Sequence, residues 1–249
     1  MTNTVTNNVF SCRRLCLFMR LELVTNYKII LSFAAATASV LFLYCLAFPT
    51  RDVHENFHAA IFAFLLFVGG FWVSSLAFKD VHDEKKNYAF LTLPLSTFEK
   101  FLGKLLLTSF GYVAALAASY FILSAFVWVI NLLLFKYTQP MFNLFTHEVL
   151  SYVRWYLVWQ SVFLLGSIYF AKHALSKIIL TSSLVIIVLI IVAFIFSALF
   201  VGPQAMFTFG WDDPVVRIVK AVFWLFVAPF CWLVTYLRLT EAEFCNRGI

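Results

Sequence analysis

His54, Glu55 and His58 stand in the spacing His-Glu-x-x-His. On a helix the two imidazoles would share a face as zinc ligands, with Glu55 as general base toward a metal-bound water. Two features oppose that chemistry. Asp52 puts a charge where such motifs carry an uncharged residue, and the pattern straddles an expected outer loop and the start of a helix. His147, Glu148, Asp212 and Asp213 fall on the same side, yet none stands in the place of a third ligand. A chance match in a short loop is the preferred reading, so no metal is expected; a membrane-embedded zinc metallohydrolase is the alternative. Cys12 and Cys16 form a bare Cys-x-x-x-Cys pair, Cys45 and Cys231 lie in apolar runs, and Cys245 is near the end. The five cysteines therefore give no disulfide framework.

The phosphate-cradling chemistry of a nucleotide hydrolase is missing. There is no Gly-x-x-x-x-Gly-Lys-Ser/Thr loop, no Gly-x-Gly-x-x-Gly after a strand and no serine-nucleophile motif. The chain reads as a non-enzyme with no cofactor of its own. No charged residue lies deep in an apolar run, which argues against a proton relay or a voltage sensor.

The elements that would carry any site are membrane helices. Hydrophobic residues make up 63% and charged residues 12% of the 249, and the mean hydropathy is +0.93, far from a soluble domain. Six apolar runs are long enough to cross a hydrocarbon core of ~30 Å: Ile29 to Phe48, Phe57 to Phe78, Leu105 to Phe135, Trp155 to Ala171, Ile178 to Val201 and Ala221 to Leu237. Placing the N-terminus inside leaves only Arg51, Lys136, Arg154, Arg217 and Lys220 of the 18 Lys and Arg residues outside. Both termini are therefore expected in the cytoplasm. The net charge of +6 is a topology signal, dispersed between spans, and no nucleic-acid partner is expected. The fold class is an all-α membrane protein: an N-terminal interfacial helix within residues 1–28, a six-span domain over 29–237, and a cytoplasmic tail over 238–249.

Lys79 to Lys104 is the one long polar interruption. Its charges are of both signs (Asp80, Asp83, Glu84, Lys85, Lys86), followed by the apolar set Tyr88, Ala89, Phe90, Leu91 and Leu93, and Pro94 stops a helix. Ser96 and Glu99 have capping-box spacing, so a new helix starts there and runs into the third span. Elsewhere, Gly69-Gly70 and Ser74-Ser75 permit close packing or a bend. Asp213-Pro214 opens the last helix, and Pro229 is expected to kink it.

The order Glu84-Lys85-Lys86, Ala89-Phe90-Leu91, Leu93-Pro94-Leu95-Ser96, Glu99 and Gly103-Lys104 resembles the loop between spans two and three in type-2 membrane permeases of ABC (ATP-binding cassette) transporters. Asn87-Tyr88 stands where that family usually has Gly-Thr. The resemblance is sharp over this loop and is one of plan elsewhere. It implies a short cytoplasmic coupling helix docking on a separate ATPase, of which two copies hold ATP and Mg. It implies a second permease copy, in a homodimer or heterodimer, in the plasma membrane (a bacterial inner membrane), amid membrane lipid. The expected activity is ATP-driven export. The residues it points to for ATPase coupling are Asp83, Glu84, Lys85, Lys86, Tyr88, Phe90 and Leu91, with Pro94 and Ser96 fixing the transmitting helix. Ser74 and Ser75 near span two, and Thr181, Ser182 and Ser183 near span five, are the candidate substrate-pathway hydroxyls. A membrane scaffold or assembly protein is a further alternative.

Overall fold

The structure, a computed structural model, describes residues 10–47, 55–82, 87, 90, 93–135, 142–171, 173–200 and 214–247. Every regular element among them is helical. In chain order these are α1 (Cys12–Thr25), α2 (Tyr27–Ala47), α3 (Glu55–Ser75), α4 (Lys79–His82), α5 (Thr97–Leu106), α6 (Tyr112–Phe135), α7 (His147–Tyr169), α8 (Ala174–Phe200) and α9 (Pro214–Arg247). A π-turn, Leu107–Gly111, joins α5 to α6 in one continuous rod. Helix α9 runs through Pro229 without ending.

Four of these helical stretches are long and apolar enough to cross a membrane: the one through α3, the α5–α6 rod, α8 and α9. Helix α2, many of whose side chains lie outside the described set, is not among the four. Nor is α7, where the fourth span was expected. Its position explains why. Helix α7 is the centre of the bundle, packed chiefly on α3 and α9, and Tyr156, Gln160, Ser161, Leu164, Gly166 and Ser167 are all buried in protein. A helix enclosed by others can carry polar residues that bond within the bundle, and its mean hydropathy falls accordingly. Helix α8 is the opposite case, with only 6% of its apolar stretch buried; apolar all round yet barely covered by protein, it has the character of a membrane span.

Two apolar clusters hold the bundle. Phe62, Leu66, Tyr120, Phe142 and Tyr156 tie α3, α6 and α7 together. Phe18, Phe78, Phe90, Phe101, Leu164 and Leu239 gather α1, α5, α7 and α9 at the polar end. Between α7 and α8 the chain turns within Phe170 to His173, and His173 takes φ 53. That tight hairpin lets Gly166 lie directly against the Ile178 side chain. Overpacking of a close contact costs about 1–3 kcal/mol, so Gly166→Val is expected to destabilise the purified chain by about 2 kcal/mol. Thermal unfolding in detergent checks this; an unchanged midpoint would show that α8 is held elsewhere.

Candidate functional site

The best-formed polar structure is a buried charge cluster where the 79–104 loop enters the α5–α6 rod. It begins with the local signal at Ser96. The Ser96 hydroxyl accepts from the Glu99 amide at 3.1 Å, and the Glu99 carboxylate accepts from the Ser96 amide at 2.9 Å, a complete capping box. The same carboxylate reaches across to α1, accepting from the Ser11 amide at 2.6 Å and from Arg14 Nη2 at 3.1 Å. Glu99 is fully buried. It lies on the polar side of the apolar run that begins at Leu105. Burial works against its ionisation, but the Ser96 and Ser11 amides and Arg14 outweigh burial and hold its carboxyl below the usual glutamate range.

One and a half turns further on, Lys104 Nζ lies 2.9 Å from Glu22 on α1 and 3.8 Å from Asp80 on α4. Lys100, fully buried, and Lys104 both stand over the Phe90 ring, at 5.4 and 5.7 Å from its centroid. Phe90 is 5% exposed and meets Phe18 of α1. Gly103 makes the approach of α1 possible, since a Cβ there would fall 2.6 Å from the Phe18 ring. One carboxylate and two cations on the first turns of the rod, Glu99, Lys100 and Lys104, thus lock α1, α4 and the Phe90 segment to it, by pairs that burial makes stronger than their surface equivalents.

A second polar group lies deeper, around the π-turn. Thr108 and Ser109 donate their hydroxyls to the carbonyls of Lys104 (2.8 Å) and Leu105 (2.6 Å). Tyr156 donates to the Thr108 carbonyl at 2.7 Å, and Gln160 Nε2 to the Thr108 hydroxyl at 2.8 Å. Tyr112 donates to the Leu65 carbonyl at 2.8 Å. Side chains from α7 therefore hold the irregular turn in place, and Tyr112 ties the start of α6 to α3.

Of the expected coupling residues, Asp83, Glu84, Lys85, Lys86, Tyr88 and Leu91 lie outside the described residues. Phe90 turns inward, Pro94 is exposed, and Ser96 caps α5. Of the pathway hydroxyls, Ser74 is fully buried beside Tyr156. Ser75 donates to the Trp72 carbonyl, and Thr181, Ser182 and Ser183 donate to carbonyls of their own helix. His54 is outside the described set, Glu55 opens α3 without a described side chain, and His58 is buried with Nδ1 3.1 Å from the Tyr120 hydroxyl. No three His, Cys, Asp or Glu residues gather for a metal among the described residues. Glu99, Lys100 and Lys104 were visible in the loop as a cap and two cations, but their partners Arg14, Glu22 and Asp80 are distant in sequence and carried no signal of pairing. Compared with known proteins, this chain matches no protein-family model, no curated protein and no solved structure.

Proposed function

We propose that the chain is a transmembrane permease subunit of an ATP-driven ABC transporter, an exporter of six spans with both termini cytoplasmic, coupled to a separate ATPase. The observation that carries this reading is the buried lock at Glu99, Lys100 and Lys104. A lever must be stiff where it joins its load. Force applied between His82 and Ser96 would pass through Asp80, Phe90 and Ser96 into the first turns of the α5–α6 rod, which continues into the bundle without a break. The resemblance of the loop to the coupling loop of type-2 permeases points the same way. On this reading Asp83, Glu84, Lys85, Lys86, Tyr88 and Leu91 meet the ATPase, while Phe90, Pro94 and Ser96 transmit. Two permease copies would line the pathway, and ATP and Mg would sit on the partner.

Gentle extraction of the chain should bring down an ATPase with it. Reversing the charges of Glu84, Lys85 and Lys86 together should cut that recovery at least tenfold, since interfacial charge pairs are worth a kcal/mol or more each, while leaving the thermal midpoint of the chain unchanged. A chain that is monomeric and alone after extraction would overturn the reading.

A further inference from the structure

An open groove of about 450 Å³ lies at the polar end of the bundle, away from the Glu99 lock, among His82, Asn87, Ile168, Tyr169, Arg238 and Glu241, with the Arg238 and Glu241 side chains half exposed at its rim. Its volume is that of a small-ligand site. Three chain segments meet in it: the end of α4 with Asn87, the last residues of α7, and α9 where its apolar stretch ends. Its polar groups are of two kinds. Arg238 supplies a fixed cation, stacked 4.8 Å over the Tyr169 ring and 2.7 Å from Glu241. Beside it stand three acceptors. Asn87 Oδ1 is buried with no hydrogen-bond partner, the Glu241 carboxylate keeps free lone pairs, and His82 donates from Nε2 to the Ser167 carbonyl at 3.2 Å, which leaves Nδ1 an acceptor in the neutral ring. A buried acceptor without a donor is costly unless something fills it.

We propose that this groove binds the headgroup of an aminophospholipid, the phosphate against Arg238 and the primary ammonium against Asn87, Glu241 and His82. A cation and an anion two carbons apart match one guanidinium facing several acceptors. The lipid source follows from α9. Phe230, Leu233 and Leu237 are exposed and fall on one stripe with Glu241, at the spacing of successive turns. This apolar ridge leads from the bundle to the rim of the groove and gives an acyl chain a surface to lie on. The groove itself is at the end of an apolar stretch, where headgroups stand.

The test uses the full chain in detergent, read by native mass spectrometry with phosphatidylethanolamine, phosphatidylcholine and phosphatidylglycerol of matched acyl chains. Phosphatidylethanolamine should be retained about tenfold more tightly than phosphatidylcholine, whose quaternary nitrogen has no N–H for Asn87, the loss expected of one charge-assisted bond. Arg238→Gln should weaken it by a similar factor, and Asn87→Leu should erase the preference over phosphatidylcholine. On the unaltered chain, glycerophosphoethanolamine should compete and glycerophosphocholine should not. Equal retention of the three lipids, tighter retention of phosphatidylglycerol, or indifference to Arg238→Gln would overturn the proposal, as would soluble phosphoethanolamine binding as tightly as the lipid.

Discussion

Glu99→Ala is expected to lower the stability of the purified chain by about 3 kcal/mol and to release α1 from the rod. Three losses add. The Ser96 capping box is worth about 1 kcal/mol. The Ser11 amide loses its hydrogen bond to the Glu99 carboxylate, and leaving such a donor unpaired costs about 1–3 kcal/mol. Arg14 is about one-third exposed and recovers water, so its contribution is the smallest. Glu99→Gln separates the terms, because glutamine can still reach back to the Ser96 amide; it should cost about half as much. Hydrogen exchange over α1 and thermal unfolding in detergent read both variants. If α1 exchanges no faster in Glu99→Ala than in the unaltered chain, the lock is not what holds α1.

The same carboxylate gives the lock a pH dependence of known sign. Its folded value lies below its unfolded one, so its contribution is complete above the ordinary glutamate range and is lost as pH falls through the lowered folded value. The protection of α1, exchange relative to the intrinsic rate at each pH, should therefore be flat through neutrality and fall only at acid pH. In Glu99→Gln that acid limb should be absent.

How much of this was readable from the sequence follows from how local each cause is. The Ser96 cap and its Glu99 are three residues apart, and the helix start they predict is where α5 begins. The six apolar runs fall on helices for the same reason: hydropathy is a property of contiguous residues. Pairings across the fold are not. Lys104 finds Glu22 and Asp80, and Glu99 finds Arg14, only because α1 folds back over the rod; nothing in the spacing marks them as partners. Phe90 looked like an apolar contact offered outward, and it is instead roofed by α1 and two lysines. Helix α7 shows a related limit. Its Gln160, Ser161 and Ser167 lower its hydropathy, and only the bundle reveals that these groups face protein. The π-turn is legible in hindsight from Thr108, Ser109 and Gly111, hydroxyls that take carbonyls next to a glycine, but the same residues occur in many regular helices.

Gly70→Ala should have the other large effect, about 3 kcal/mol, and act through Tyr156. A Cβ at Gly70 would overlap the Tyr156 ring, which is fully buried and also packed on Phe67 and Phe71. The ring cannot retreat at small cost. Its hydroxyl is held to the Thr108 carbonyl at 2.7 Å, and Phe71 is itself stacked on Phe163 with centroids 4.1 Å apart. Overpacking costs about 1–3 kcal/mol, and displacing the hydroxyl adds about 1 kcal/mol for the bond lost. That bond is also one of two that α7 makes to Thr108 in the π-turn, so the turn loses part of its hold. If it relaxes to a regular α-helix, α6 rotates by one residue, about 100°, against α5. The test is a double-mutant cycle with Tyr156→Leu, which removes the ring that the new methyl would strike. In that background Gly70→Ala should cost less than about 1 kcal/mol. Equal costs in the two backgrounds would mean that Gly70 is needed for its own backbone and not for Tyr156. A difference of the expected size would make the Gly70–Tyr156 contact the point where α3 and α7 together set the register of the α5–α6 rod.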